Sequence, residues 1–219
     1  MMFKLRDEMI PILAIALSFL IAVAAYPHLP ERIPVHWNAA GEVDRYGPTL
    51  SIFALPVIML ALYLVISVLP FIDPLRKNYN RFYMEFIQLK LAFLVLLFYI
   101  FSLSLLSARG NYVSMSDGII LSISMLFFFI GTIMPGFKRN YFVGIRTPWT
   151  LASDFVWDRT HAFGGKVFMF MGALGLLALF FKQHAILVFF VPMILGIAAV
   201  IVHSYLTFRK TEGKFGRKR

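Results

Sequence analysis

The 219-residue chain has no cysteine. Disulfides, thiolate metal sites and a cysteine nucleophile are therefore excluded. Charge is scarce too: Asp, Glu, Lys and Arg together are 15% of the residues, and acids are the rarer sign, 11 against 21 basic residues. A soluble domain of this length needs more polar surface than that to cover its core. All the acids lie outside the long apolar runs or at their edges. Proton and cation pathways place ionisable groups inside the bilayer, so their absence argues against a coupled transporter. No internal repeat or low-complexity linker divides the sequence, which reads as one membrane domain over residues 1–219.

What the chain does have is hydrophobic surface: 60% of its residues, including 24 Phe. Six apolar runs, at about 10–26, 50–69, 89–108, 118–134, 162–181 and 185–207, are long enough to cross ~30 Å of hydrocarbon. The predicted fold class is all-α, a polytopic membrane protein with six transmembrane helices. The first run could instead be a cleaved signal peptide, since Lys4 and Arg6 precede it and Val23-Ala24-Ala25 resembles a cleavage site. Against that, its apolar core exceeds the roughly 7–15 residues of a signal peptide, and Asp7 and Glu8 stand where positive charge is expected.

Lys and Arg set the expected orientation. The N-terminus, second loop, fourth loop and C-terminal tail carry 2, 4, 5 and 6 of them, and the other three connections 2, 1 and 1. The bias places both termini in the cytoplasm of a prokaryotic plasma-membrane protein, the first loop outside and the fourth inside. The net charge of +10 and the tail "RKTEGKFGRKR" then read as a topology signal that attracts anionic membrane lipid, and no direct nucleic-acid partner is expected. Lys90 and Lys166, near the starts of spans, are expected to snorkel. Trp37, Trp149 and Trp157 all fall in loops beside spans, as interfacial anchors do.

Two loops hold the chemistry. In the first, "IPVHWNAAGEVDRYGPTL", Pro30 and Pro34 impose an extended backbone, and Ala40-Gly41 turns the chain. His36, Glu42 and Asp44 could ligate a metal, but they follow no ligand spacing and no second His is near. His36, Asn38 and Asp44 are instead expected to satisfy the turn and one another, with Trp37 and Tyr46 on the membrane surface. Such a wet aromatic face suits recognition of an external ligand. In the fourth loop a helix start is expected at Thr150 or Ser153. There Asp154, Asp158 and His161 fall on one face at i, i+4 and i+7. That spacing would serve a metalloprotein or membrane enzyme. With Phe155, Val156 and Phe163 opposite, it also describes an amphipathic interfacial helix with a solvated face.

The same loops carry a resemblance. "IPVHWNAAGEVDRYG" is similar to the N-terminal loop of the SdpI-type immunity-protein family in its P-x-H-[W/F/Y]-N, Gly and Asp-x-Tyr pattern. "NYFVGIRTPWTLASDFVWDRTHAFGGK" resembles that family's longer signature, N-Y-x-x-G-[I/V]-R-T-P-W-T followed by a Trp, T-H and a glycine pair. The resemblance implies a bacterial membrane protein that protects its producer from a secreted hydrophobic peptide toxin. It also implies a signalling role, in which toxin binding leads the protein to hold a cytoplasmic transcriptional repressor at the membrane. The matching positions are Pro34, His36, Asn38, Gly41, Asp44 and Tyr46 in the first loop, with Trp37 between them. In the fourth they are Asn140, Tyr141, Gly144, Arg146, Thr147, Pro148, Trp149, Trp157, His161 and Gly165. Binding without covalent chemistry is expected, and no cofactor or metal.

Overall fold

The structure is a computed structural model that describes residues 5–38, 40–181 and 184–215. Of the positions used to read orientation, Lys4, Lys182 and tail residues 216–219 lie outside the described residues. The long helices are α1 (Leu5–Ala25), α2 (Ala54–Ile72), α3 (Tyr83–Ala108), α4 (Met115–Ile133), α6 (Asp154–Ala178) and α7 (Ala185–Phe215). All six are long and apolar enough to cross a membrane. A five-residue helix, α5 (Pro148–Ala152), precedes α6. The only strands among the described residues are β1 (Arg32–Trp37), where proline chemistry predicted extended chain, and β2 (Val43–Pro48), which pairs with it as an antiparallel hairpin. The chain is thus a multi-pass, all-helical membrane protein with one small hairpin.

Two compact units divide the contacts, one from residues 3–67 and 90–123, the other from 68–89 and 124–219. In the first, Ala22 and Ala25 at the end of α1 pack with Phe101, Leu105 and Ala108 of α3 and with Ile33 of β1. Ile33 is the one fully buried side chain of its strand, so the hairpin is seated through it. Burying that side chain contributes about 1.5–3 kcal/mol. In the second unit α4 and α6 approach through small residues: a Cβ on Gly131 would lie 2.6 Å from the Gly165 carbonyl oxygen, and one on Gly172 2.6 Å from the Ser124 carbonyl oxygen. Such contacts let backbones pack closely where the bilayer supplies no hydrophobic drive.

Three expectations need correction. Lys90 does not snorkel. It is fully buried, its Nζ 2.6 Å from both carboxylate oxygens of Glu8, with the Tyr63 hydroxyl donating to Glu8 Oε2 at 2.9 Å. The spans therefore contain an ion pair, and the argument against transport from their lack of charge loses its premise. An isolated ammonium would reach for water, but a carboxylate from another helix offers a closer partner. Trp157 is no interfacial anchor either: it is fully buried, because α6 begins at Asp154 and carries this indole inward. Finally, the segment read as an interfacial helix is the opening of α6, continuous with the span that follows.

Candidate functional site

The hairpin residues lie in the first unit and the fourth-loop residues in the second. In the hairpin, Gly41 takes a positive φ of 82°, the left-handed conformation that favours glycine. Asn38 organises the turn: its Oδ1 accepts the N–H groups of Ala40 and Glu42 at 2.9 and 3.0 Å, and its Nδ2 donates to the Glu42 carboxylate at 3.0 Å. His36 Nδ1 lies 2.6 Å from Asp44 Oδ1, both side chains about half exposed. Tyr46 is half exposed, and Trp37 is partly covered beside Val43. His36 and Asp44 thus satisfy each other as expected, while Asn38 serves the turn and pairs with Glu42 rather than with either of them.

The fourth loop is built around two buried polar side chains. Asn140 accepts the N–H groups of Phe142 and Val143 on Oδ1 at 2.9 and 2.6 Å, and donates to the carbonyls of Lys138 and Val143 at 2.8 and 2.9 Å. Every polar valence of that amide is used within the loop, so it holds the loop's curvature without water. Sequence reading missed the second residue, Asp73, just beyond α2. Only 2% exposed, it accepts the Leu75 N–H on Oδ1 at 2.7 Å, and on Oδ2 the Tyr141 N–H at 2.9 Å and the Tyr79 hydroxyl at 3.2 Å. Three donors satisfy the oxygens of a carboxyl group that is otherwise cut off from solvent. Asn78 adds a bond to the Arg139 carbonyl at 2.7 Å. The signal for these residues was the turn-forming "DPLRKNYN" after the second span, a cue shared by ordinary loops.

Around this frame the signature residues converge. Thr147 caps α5: its hydroxyl accepts the Thr150 N–H at 3.2 Å, while its own N–H donates to Thr150 Oγ1 at 2.8 Å. Pro148 follows at the first helical position, where a missing N–H costs nothing. Trp157 donates from Nε1 to the Phe137 carbonyl at 2.8 Å and stacks on His161 at 4.1 Å. His161 Nε2 accepts the Ile145 N–H at 3.0 Å, and Nδ1 sits 2.8 Å from the Trp157 carbonyl. Since a carbonyl can only accept, the ring proton belongs on Nδ1. Gly144, with φ of 105°, brings the backbone against this ring. Trp149 packs on Tyr205 of α7 at 5.1 Å. Arg146 is exposed and donates to the Tyr141 carbonyl at 2.7 Å, leaving most of its planar fork toward solvent.

Asp154, Asp158 and His161 do not converge. Asp158 pairs with Lys138 at 3.4 Å, Asp154 lies 2.7 Å from Arg139 Nε, whose N–H is not aimed at it, and His161 turns into the core. Nearby cations draw the acids outward while the imidazole satisfies backbone. Among the described residues no three His, Asp or Glu side chains are grouped to hold a metal.

Burial, together with the Asp73 carboxylate, raises the Tyr79 phenol above its ordinary value near 10. The folded state then retains a proton that the unfolded chain loses, so this group's stabilisation is intact below pH 10 and declines as pH rises above it. A thermal-stability series in detergent should fall less steeply above that pH for Tyr79→Phe than for the native chain. Parallel curves would show that Tyr79 does not report on the loop.

Comparison with known proteins covers nearly the whole chain. Residues 136–205 match the SdpI/YfhL protein family, and residues 13–60 match a domain of unknown function, DUF1648. The chain is 30% identical over 211 residues to the immunity protein SdpI of Bacillus subtilis, covering 95% of this chain and 99% of that protein. It is 35% identical over 78 residues to an uncharacterized protein of Archaeoglobus fulgidus, 36% of this chain and 41% of that one. No solved structure matches.

Proposed function

Because the chain belongs to the SdpI/YfhL protein family, we propose that it is a membrane immunity protein that binds a secreted peptide toxin and conveys its presence to a cytoplasmic repressor. The observation that carries the proposal is similarity to an immunity protein along essentially the full length of both chains. In this reading the membrane is prokaryotic, both termini are cytoplasmic, and the hairpin with His36, Trp37, Asn38, Asp44 and Tyr46 faces the toxin. The loop from Asn140 to His161 faces the cytoplasm, where Arg146 presents its guanidinium to an acidic partner. Protection arises by binding and sequestration, with no covalent step.

The test is complementation of a Bacillus subtilis strain lacking its own SdpI. Cells expressing this chain should survive the toxin; killing despite normal membrane levels would sink the immunity reading. Arg146→Lys should insert and fold normally, since a lysine can still donate one bond to the Tyr141 carbonyl, yet recruitment of the cytoplasmic repressor to the membrane should fall about tenfold because the fork is lost. A variant that melts early would assign Arg146 to the scaffold instead. Sidedness is checked on a cysteine-free background: an impermeant maleimide should label Ala40→Cys in intact cells, and Ala152→Cys only after permeabilisation.

A further inference from the structure

Between residues 29 and 48 the chain has two cations, Arg32 and Arg45, and both line one open cavity of about 450 Å³ together with Asp44 and Tyr46. Consecutive strand residues point to opposite faces, so three in a row cannot ordinarily line one cavity. Register shifts permit it here. Pro34 pairs with Tyr46, His36 with Arg45 and Trp37 with Val43, leaving Val35 and Asp44 as extra residues. Irregularities of this kind re-aim side chains and recur beside binding sites.

The cavity carries two guanidinium cations against a single carboxylate, Asp44. The Asp44 carboxylate is engaged by His36 at 2.6 Å, and the Glu42 carboxylate by Asn38 at 3.0 Å. Glu31 is exposed and does not line the cavity. Arg32 uses one N–H on the Tyr46 carbonyl at 3.1 Å and keeps the rest of its fork. Among the described residues no group pairs with the Arg45 guanidinium. Two forks on one depression match an oxyanion that takes bonds from both. Arg32 and Arg45 each stand four residues from a span, at His28 and Thr49. Four extended residues reach at most about 13 Å, which is the neighbourhood of the headgroup layer. Lipid phosphate is dense at that level on either face of a membrane.

We propose that the hairpin holds the phosphate of a phospholipid headgroup between Arg32 and Arg45, with Tyr46 alongside. The site does not depend on immunity or on which face the hairpin occupies.

The test uses the full chain in nanodiscs of phosphatidylglycerol, read by native mass spectrometry of retained lipid. Arg45→Gln removes a fork that touches nothing else, so matched melting curves should accompany an occupancy about fivefold lower for one lipid. Arg32→Gln/Arg45→Gln should abolish that occupancy, whereas Arg159→Gln, in the other unit, should leave it intact. In discs of phosphate-free diglucosyl diacylglycerol, native chain and Arg45→Gln should retain lipid alike. Equal phosphatidylglycerol retention by Arg45→Gln and the native chain would overturn the proposal. So would displacement of the lipid by millimolar inorganic phosphate, which would make this a free-phosphate site, or by an acidic peptide, which would make it a peptide site.

Discussion

Replacing Lys90 with methionine is expected to destabilise the protein by about 3–5 kcal/mol, because Glu8 would remain as a buried carboxylate without its cation. The side chains are 0% and 9% exposed, so little solvent screens the pair. Glu8→Gln should cost less than Lys90→Met. Its amide oxygen still accepts from Lys90 and from Tyr63, whose hydroxyl lies 2.9 Å from Glu8 Oε2, and an ammonium on a long stem can move toward water. The informative variant is the double one. Glu8→Gln with Lys90→Met removes both charges at nearly constant volume and should recover most of the loss, since desolvation offsets much of what a buried pair gains. A thermal-shift series on the four proteins gives the coupling directly. If the double variant is as unstable as the sum of the singles, the pair is not coupled and the charges act on other groups.

Gly144→Ala is expected to be the most damaging single-methyl change in the fourth loop. The backbone there has a φ of 105°, which an L side chain rarely adopts, and the new Cβ would collide with His161 Nε2. Backbone strain alone costs about 1–2 kcal/mol. Displacing the ring also breaks its bond from the Ile145 N–H and disturbs the Trp157 stack, bringing the expected loss to about 3 kcal/mol or more. Gly110 is the control. Its φ is 83°, yet a Cβ there meets nothing within 4 Å, so Gly110→Ala should show the backbone cost by itself. Equal losses at the two positions would mean that the His161 contact has no energetic weight.

Six spans could be read from the chain because bilayer thickness demands long apolar runs, and that requirement is local. The extended first strand and the turn after it were legible for a similar reason, since proline fixes φ and Ala40-Gly41 turns the chain, but its pairing with Val43–Pro48 was not. Of the two helix starts expected, the one at Ser153 was legible from side-chain chemistry one turn long, whereas Thr150 lies inside α5, which Thr147 caps. The signature residues were recognisable as a group, and the fold brings Asn140, Gly144, Thr147, Trp157 and His161 into contact with a single loop and its flanking helices.

What tertiary structure decided was the partner of each charge. Glu8 and Lys90 are 82 residues apart, and Asp73 and Tyr141 are 68 apart, so no local pattern could pair them. His161 looked like a ligand beside Asp154 and Asp158 because helical spacing places them on one surface. Packing then turned the imidazole to the Ile145 N–H and left the acids to Lys138 and Arg139. Arg32 and Arg45 meet only because two register shifts re-aim the strands between them. Sequence by itself determined which segments enter the membrane, through hydrophobicity and backbone restriction. Long-range packing determined which polar groups are satisfied and which stay open for a ligand, because a buried polar group requires a partner and the fold alone supplies it.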